Sequence, residues 1–528
     1  MDTRYNCLGA TILAITDTLI RTSSSLFYQA KNPAIYGGNF IAIGGDDINK
    51  IHKWLDAPDC AANLATAVNN KCLGTGQWIF ELDTYKQWGS DNGILWIQGP
   101  AGSGKTFLIT TIIQNLEMMN QRSPIWYHYF DTRDNTESKT TYSGFLLSLV
   151  QQMGLSSEGI HPALNTLYKS NPSGHLTHRE LENILETMIK DRNDMTIAVD
   201  ALDECQEADV DKVLNWLAAS SNDLRIIVTS RLKPGLVVQN LLHIELGGPK
   251  SRIEEDIARY IELKIHDQPQ FKGDIIGEIK ETLNKGAHGI FRWVDCQMMQ
   301  LQKCKRNRDV KEALKTLPAT LKDTYDQTLR ELTEEEKEDV QHLLLWLLYA
   351  FEPLTRRQVN DIWKIDLSEQ KYDPDEMDFQ VEKDIPSSFV TVGQDDTIQL
   401  AHASVKEYLI SYQQSNEISN SLSFNEHLAH DVITQTTIIY LMQYDNTSFD
   451  WQGLVAYAVK YWLLHASKVE EFKVAGQSQN LIHAMLKNSV QFSRWEEMYR
   501  KYGNELQAAS YMGNKNIVQL LLKNGALY

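Results

Sequence analysis

The sequence predicts a multidomain protein of the α/β-plus-α class: a doubly wound parallel sheet first, then helical domains interrupted by one small hairpin. Three observations predict it. A short apolar run, ILWI at 94–97, leads straight into the glycine-rich GPAGSGKT of 99–106 and an apolar, helix-patterned stretch. Further short apolar runs, PIWYHYFD at 124–131, MTIAVD at 195–200 and RIIVTSR at 225–231, are separated by segments of helical periodicity. Strands alternating with helices give parallel sheets. Beyond about residue 250 the apolar pattern is mostly helical.

The bulk numbers set limits. A chain of 528 residues exceeds one hydrophobic core and suggests about three or four domains. With 42% hydrophobic and 23% charged residues it can bury several cores. A formal net charge of -18 gives no general attraction to phosphate backbones or anionic membranes, so nucleic acid is not an expected partner. The six cysteines are scattered without CxxC pairs, as in a reduced cytoplasmic chain. LGATILAITDTLI near the N-terminus carries Asp17 and lacks a basic leader, so it is not read as a signal peptide. No run approaches the ~20 apolar residues of a stable membrane span.

The elements can be justified in order. The run at 94–97 fits a strand buried on both faces. Gly99, Pro100, Ala101, Gly102, Ser103, Gly104, Lys105 and Thr106 complete a G-x-x-x-x-G-K-T match. Gly102 and Gly104 let the backbone curl so that N–H groups face phosphate oxygens. Lys105 is expected to reach the β- and γ-phosphates, Thr106 to give its hydroxyl to magnesium, and the helix from Phe107 onward to aim its positive end at the phosphates. The run at 195–200 delivers Asp200 to the C-terminal edge of the sheet, where a carboxylate holds magnesium through water. Asp203 and Glu204 follow, and either could orient the attacking water. Arg231 ends the next strand. It is a candidate sensor of the γ-phosphate, the alternative being an ordinary pair with a surface carboxylate.

The order GPAGSGKT, AVDALDEC, IIVTSR resembles the NACHT module of STAND-class NTPases, most of all those of fungal NOD-like receptors. Residues 51–88 resemble the lead-in of those proteins, GIFRWVDCQMMQLQKC (289–304) their helix after the sheet, LPATLKDTYDQTLREL (317–332) the helical linker, and AHASVKEYLIS (401–411) the end of their winged-helix domain. In the helix at 289–304, Ile290, Val294, Met298 and Leu301 form a core-facing stripe, and Arg292 and Trp293 could face the nucleotide cleft. FEPLTRRQVNDIW reads as a turn and short helix, and 384–409 as a hairpin around Gly393–Asp396 followed by a helix. His402 precedes that helix. It is either a structural residue or, as the resemblance implies, the contact to the β-phosphate of a closed diphosphate state. NELQAASYMGNKNIVQLLLKNGALY at the C-terminus resembles one ankyrin repeat, too little to bury its own face.

The expected organisation is an N-terminal segment at 1–50 with a Gly/Asn-rich, β-prone motif, read either as a hairpin or linker or, by the resemblance, as an amyloid-templating element; a helical lead-in at 51–92; the nucleotide-binding domain at 93–250; a helical domain at 251–332; a winged-helix domain at 333–415; a further helical domain at 416–503; and the ankyrin-like repeat at 504–528. The resemblance implies a switch in innate immunity or heterokaryon incompatibility. It would bind ATP/ADP, with GTP/GDP open, together with magnesium, hydrolyse slowly, and form a homo-oligomer when a protein trigger or effector engages it. The rival readings are a continuously cycling NTPase motor and a non-catalytic nucleotide-binding scaffold.

Overall fold

A computed structural model describes residues 45–472 and 478–487 together with Trp495, apart from 120–123, 135, 137, 157–158, 173–175, 193, 232–239, 249–251, 394–395, 413–421 and 444–452. Most of the β-prone motif, up to residue 44, and the ankyrin-like segment at 504–528 lie outside the described residues, while the last residues of that motif, 45–50, are helical rather than β.

The apolar runs become a five-stranded, all-parallel sheet of β1 (Gly93–Gln98), β2 (Ile125–Tyr129), β3 (Thr196–Asp200), β4 (Arg225–Ser230) and β5 (Leu241–Glu245), ordered β2-β3-β4-β1-β5. Alternate side chains go to opposite faces, because a strand repeats every two residues. Ile94 and Trp96, Ile197 and Val199, and Ile226 and Val228 pack under α1 (Gly45–Leu55) and three further helices. Those three are α5 (Tyr142–Gly154), α6 (His178–Lys190) and α7 (Glu207–Ser220). Leu95, Ile97, Ala198 and Ile227 pack on the other face against α2 (Cys60–Asn70), α3 (Asp83–Ser90) and α4 (Lys105–Met119). Both faces are therefore dry, as parallel sheets require. Trp96 buries its indole by donating Nε1–H to Ser230 Oγ at 2.9 Å.

The helical domain, α8 (Ile253–His266), α9 (Ile275–Ala287), α10 (Phe291–Lys303) and α11 (Asn307–Lys315), has its own core, in which Val294, Met298 and Leu301 are buried. It also grips the lead-in. Asp256 of α8 accepts from Gly76 N–H and Trp78 Nε1–H, both at 2.8 Å, and Arg259 donates to Gly74 O at 2.6 Å.

The winged helix follows α12 (Leu321–Arg330). It comprises α13 (Glu334–Tyr349), α14 (Arg356–Trp363), α15 (Ala403–Ser411) and a three-stranded antiparallel sheet of β6 (Leu354–Thr355), β7 (Val390–Val392) and β8 (Thr397–Leu400). Capping boxes set its helix starts: Thr333 with Glu336, and Thr355 with Gln358. Its core continues into α16 (Glu426–Gln443), α17 (Leu454–Phe472) and α18 (Ser478–Lys487). No helix among the described residues is long and apolar enough to cross a membrane.

Candidate functional site: the phosphate cradle and the helix docked beside it

The cradle is built by backbone conformation. Gly102 and Gly104 have φ of +76° and +85°, the left-handed region that glycine enters at no steric cost. A Cβ on Gly99 would meet Ser103 Oγ at 2.8 Å, and one on Gly102 would meet Arg292 Cβ at 2.8 Å. Gly99 is tied to the sheet through Ser230 O, and Ser103 is buried with its hydroxyl on Pro100 O. Pro100 is exposed and Ala101 half-buried at the tip of the loop, and Phe107 is exposed on the first turn of α4. That helix begins at Lys105, two residues earlier than its apolar pattern suggested.

Lys105 donates to Gly99 O and Pro100 O at 2.8 and 2.9 Å. Burial lowers its pKa, opposed by the nearby charges of Asp203 and Asp200. Asp200 is buried at the end of β3 and accepts from Thr229 Oγ1 at 2.5 Å and from the Thr106 hydroxyl. Burial raises its pKa against the pull of those two hydrogen bonds. Thr106 and Asp200, the expected magnesium pair, are thus in direct contact. Ala201 then turns the chain in the left-handed region, φ +53°, with its N–H on Thr229 Oγ1.

The two following acids have different partners. Asp203 accepts from Arg231 N–H at 3.0 Å and pairs with its Nε at 2.8 Å. Glu204 accepts from Thr132 N–H and Oγ1 at 2.8 and 2.9 Å. Burial, with the Asp131 charge adding to it, pushes the Glu204 carboxyl up to about 7. Beside it, burial would also raise Asp131, but the bidentate Arg133 guanidinium holds that carboxyl down at about 2.

α15 of the winged helix lies against this cluster. Glu407 takes Arg231 NH1 at 2.7 Å and also pairs with NH2. Lys406 donates to the carbonyl of Thr132. His402 caps α15: its Nδ1 accepts from Ser404 N–H at 3.1 Å, which leaves the proton of the neutral ring on Nε2. Burial, together with Arg292, Arg133, Arg231 and Lys105, pushes its pKa well below 6.5, so the ring is neutral at pH 7 among four cations. Arg292 does face the cleft: its N–H donates to Gly102 O at 3.2 Å, its NH2 reaches Ser388 O of the winged helix at 2.7 Å, and its Nε is buried without a partner. Trp293 turns away, its indole on Pro318 O.

The sequence-derived site residues therefore lie around one cleft, and Arg231 stands there at the strand end, paired to Asp203 and Glu407. Sequence reasoning missed Thr132, Arg133, Lys406 and Glu407, none of which stands in a motif. A separate groove of about 440 Å³ in the helical domain, lined by Gln300, Cys304, Asp309 and Glu331 among others, shares none of the cradle residues.

The sequence profile of the family described as Nephrocystin 3, N-terminal, matches residues 74–231, which contain the whole cradle. That of the GPI inositol-deacylase winged helix domain matches residues 326–420. The vegetative incompatibility protein HET-E-1 of Podospora anserina is 25% identical over 372 residues, 66% of this chain and 26% of that protein. These matches support a STAND-type P-loop NTPase of the fungal NACHT group. The chain spans only about a quarter of the length of the incompatibility protein it matches. A second relative, the azaphilone pigments biosynthesis cluster protein L of Monascus ruber, is 22% identical over 47% of the chain and 68% of its own length. Among solved structures, a STAND protein with a tetratricopeptide repeat sensor from Pyrococcus horikoshii aligns at 14% identity and TM-score 0.43, over 87% of this chain and 59% of that one. The Orc1 protein of Aeropyrum pernix in complex with DNA aligns at 12% identity and TM-score 0.30, over 69% and 92%. At such low scores neither likeness bears on function.

Proposed function

We propose that the protein is a signalling switch that binds a nucleoside triphosphate with magnesium, hydrolyses it slowly, and oligomerises when its winged helix leaves the cleft. The observation that carries this reading is the docking of α15 on the cradle, with Glu407 on Arg231 and His402 among four cations. A motor that cycles continuously gains nothing from a domain that occupies its γ-phosphate side.

The chain fits the cofactors. The buried, raised carboxyl of Asp200 touching Thr106 is a site that a divalent cation relieves. Thr106 and Asp200 would hold magnesium, which would supply neutralisation of the phosphate charge. The backbone N–H groups of 102–106 and Lys105 hold the phosphates. Glu204 accepts a proton from the attacking water, while Arg231, braced by Asp203, balances charge on the γ-phosphate. In the diphosphate state His402 Nε2–H donates to the β-phosphate, and release of α15 hands Arg231 from Glu407 to the γ-phosphate. The base, adenine or guanine, is set by contacts outside these motifs. By its relatives, the switch serves heterokaryon incompatibility or innate immunity in a fungus, with a protein trigger and a homo-oligomeric active form.

The test is to purify the chain without added nucleotide, denature it and identify what is released. A stoichiometric diphosphate supports the switch. An empty site with turnover on the order of 1 s⁻¹ or faster overturns it in favour of a cycling NTPase. Absence of any binding overturns the nucleotide reading.

A further inference from the structure

Thr132 sits between the acid and the winged helix. Its N–H and its hydroxyl both donate to Glu204 Oε2, at 2.8 and 2.9 Å, and its carbonyl accepts from Lys406. The next peptide unit is planar, so fixing its carbonyl fixes its N–H. That N–H, of Arg133, donates to Asp131 Oδ1 at 3.0 Å. Asp131 is in turn locked by the Arg133 fork and by Asn63 Nδ2 at 2.9 Å. The 132–133 peptide is therefore pinned from both sides, and Lys406 is the pin that comes from the winged helix. Its ammonium is half-buried, so water does not simply replace it while the helix is docked.

We propose that Thr132 is a positioning residue for Glu204 and that Lys406 of the docked winged helix keeps it in place, so that docking turns the carboxylate toward the β2 loop and away from the cradle. The proposal rests on Glu204 being the acid that receives the water proton. Undocking removes Lys406 and leaves the 132–133 peptide held from the Arg133 side alone, which loosens Thr132 and its grip on the carboxylate. The winged helix then restrains hydrolysis through a backbone carbonyl as well as by occupying Arg231.

The experiment uses the full chain with Lys406→Met, which keeps the aliphatic stem and deletes the donor, Thr132→Val, which deletes the hydroxyl, and Thr132→Ser, which keeps both donors. Hydrogen exchange at 130–134, measured without triphosphate, should rise about tenfold in Lys406→Met. Turnover should rise severalfold in Lys406→Met and in Thr132→Val, no further in the double variant, and not at all in Thr132→Ser. Unchanged exchange at 130–134 in Lys406→Met overturns the proposal, as do additive effects of the two substitutions. The exchange measurement decides the coupling even in a chain that hydrolyses nothing. Turnover lost in Glu204→Gln yet unmoved by Lys406→Met removes the coupling and leaves the NTPase reading standing.

Discussion

Arg231 and Glu407, 176 positions apart in the chain, form a two-pronged ion pair across the boundary between the parallel-sheet domain and the winged helix. With Asp203 on Nε, all the guanidinium nitrogens of Arg231 are engaged. The pair is partly exposed, with 27% of the Arg231 and 52% of the Glu407 side-chain surface accessible, so its strength is that of a screened pair, about 0.2–1 kcal/mol.

Glu407→Ala is therefore expected to shift the docked-to-undocked equilibrium by no more than about fivefold, and less at high salt. Hydrogen exchange over 403–411 measures it. Glu407→Arg should undock more strongly through repulsion, and the swap Arg231→Glu with Glu407→Arg should restore docking. A swap that stays undocked would show that the pair does not hold the domains.

One substitution at His402 would confuse its observed role as the cap of α15 with its proposed contact to the β-phosphate. His402→Ala removes the cap of α15, which costs about 1 kcal/mol, and the Nε2–H donor together. His402→Asn keeps a capping side chain and removes only the donor. Both should lose diphosphate affinity on titration if the ring holds the β-phosphate. If Asn binds diphosphate as wild type does, His402 is a cap and nothing more.

Asp200→Asn removes a buried carboxyl that is costly to ionise. Without metal, thermal stability should be unchanged or slightly raised. In magnesium with triphosphate, the stabilisation seen in wild type should largely vanish. Equal ligand protection in both proteins would remove Asp200 from the metal site. Lys105→Ala should abolish nucleotide binding with or without magnesium.

Glu204 gives the pH dependence. Its carboxyl is raised from 4.5 to about 7, chiefly by burial. As the proton acceptor it must be ionised, so turnover should climb with pH through about 7. The sign for stability is opposite. A raised carboxyl binds its proton in the folded state first, so its contribution is full below pH 4.5 and is lost as pH rises through about 7. Urea unfolding at pH 5 and pH 8 should show this fall in wild type and a flatter profile in Glu204→Gln.

The sequence was informative where chemistry is local. β1, β3 and β4 are continuous apolar runs ending in Gly99, Asp200 and Arg231, and both periodicity and motif mark them. The hairpin closes at Gly393, whose N–H meets Thr397 O, as its turn residues suggested. β5, Leu241–Glu245, is a short edge strand with His243 in it, and it has no such signature. Lys406 and Glu407 read as ordinary solvated charges on a helix. Their meaning comes from Thr132 and Arg231, brought to them by the packing of one domain on another, and no window of sequence contains that. Arg133 is hidden for the same reason: its role is set by Asp131 folding back on it beneath Glu204.

The grip of Asp256 and Arg259 on residues 74–78 gives the molecule a mechanical layout that its domain order conceals. The strap precedes the sheet in the chain yet is fastened to a helix that follows it, so cutting the chain near residue 250 would not part the two bodies. In the proposed switch, this grip lets the sheet and the helical domain travel as one body, so the bending of any opening falls on the joint near α12.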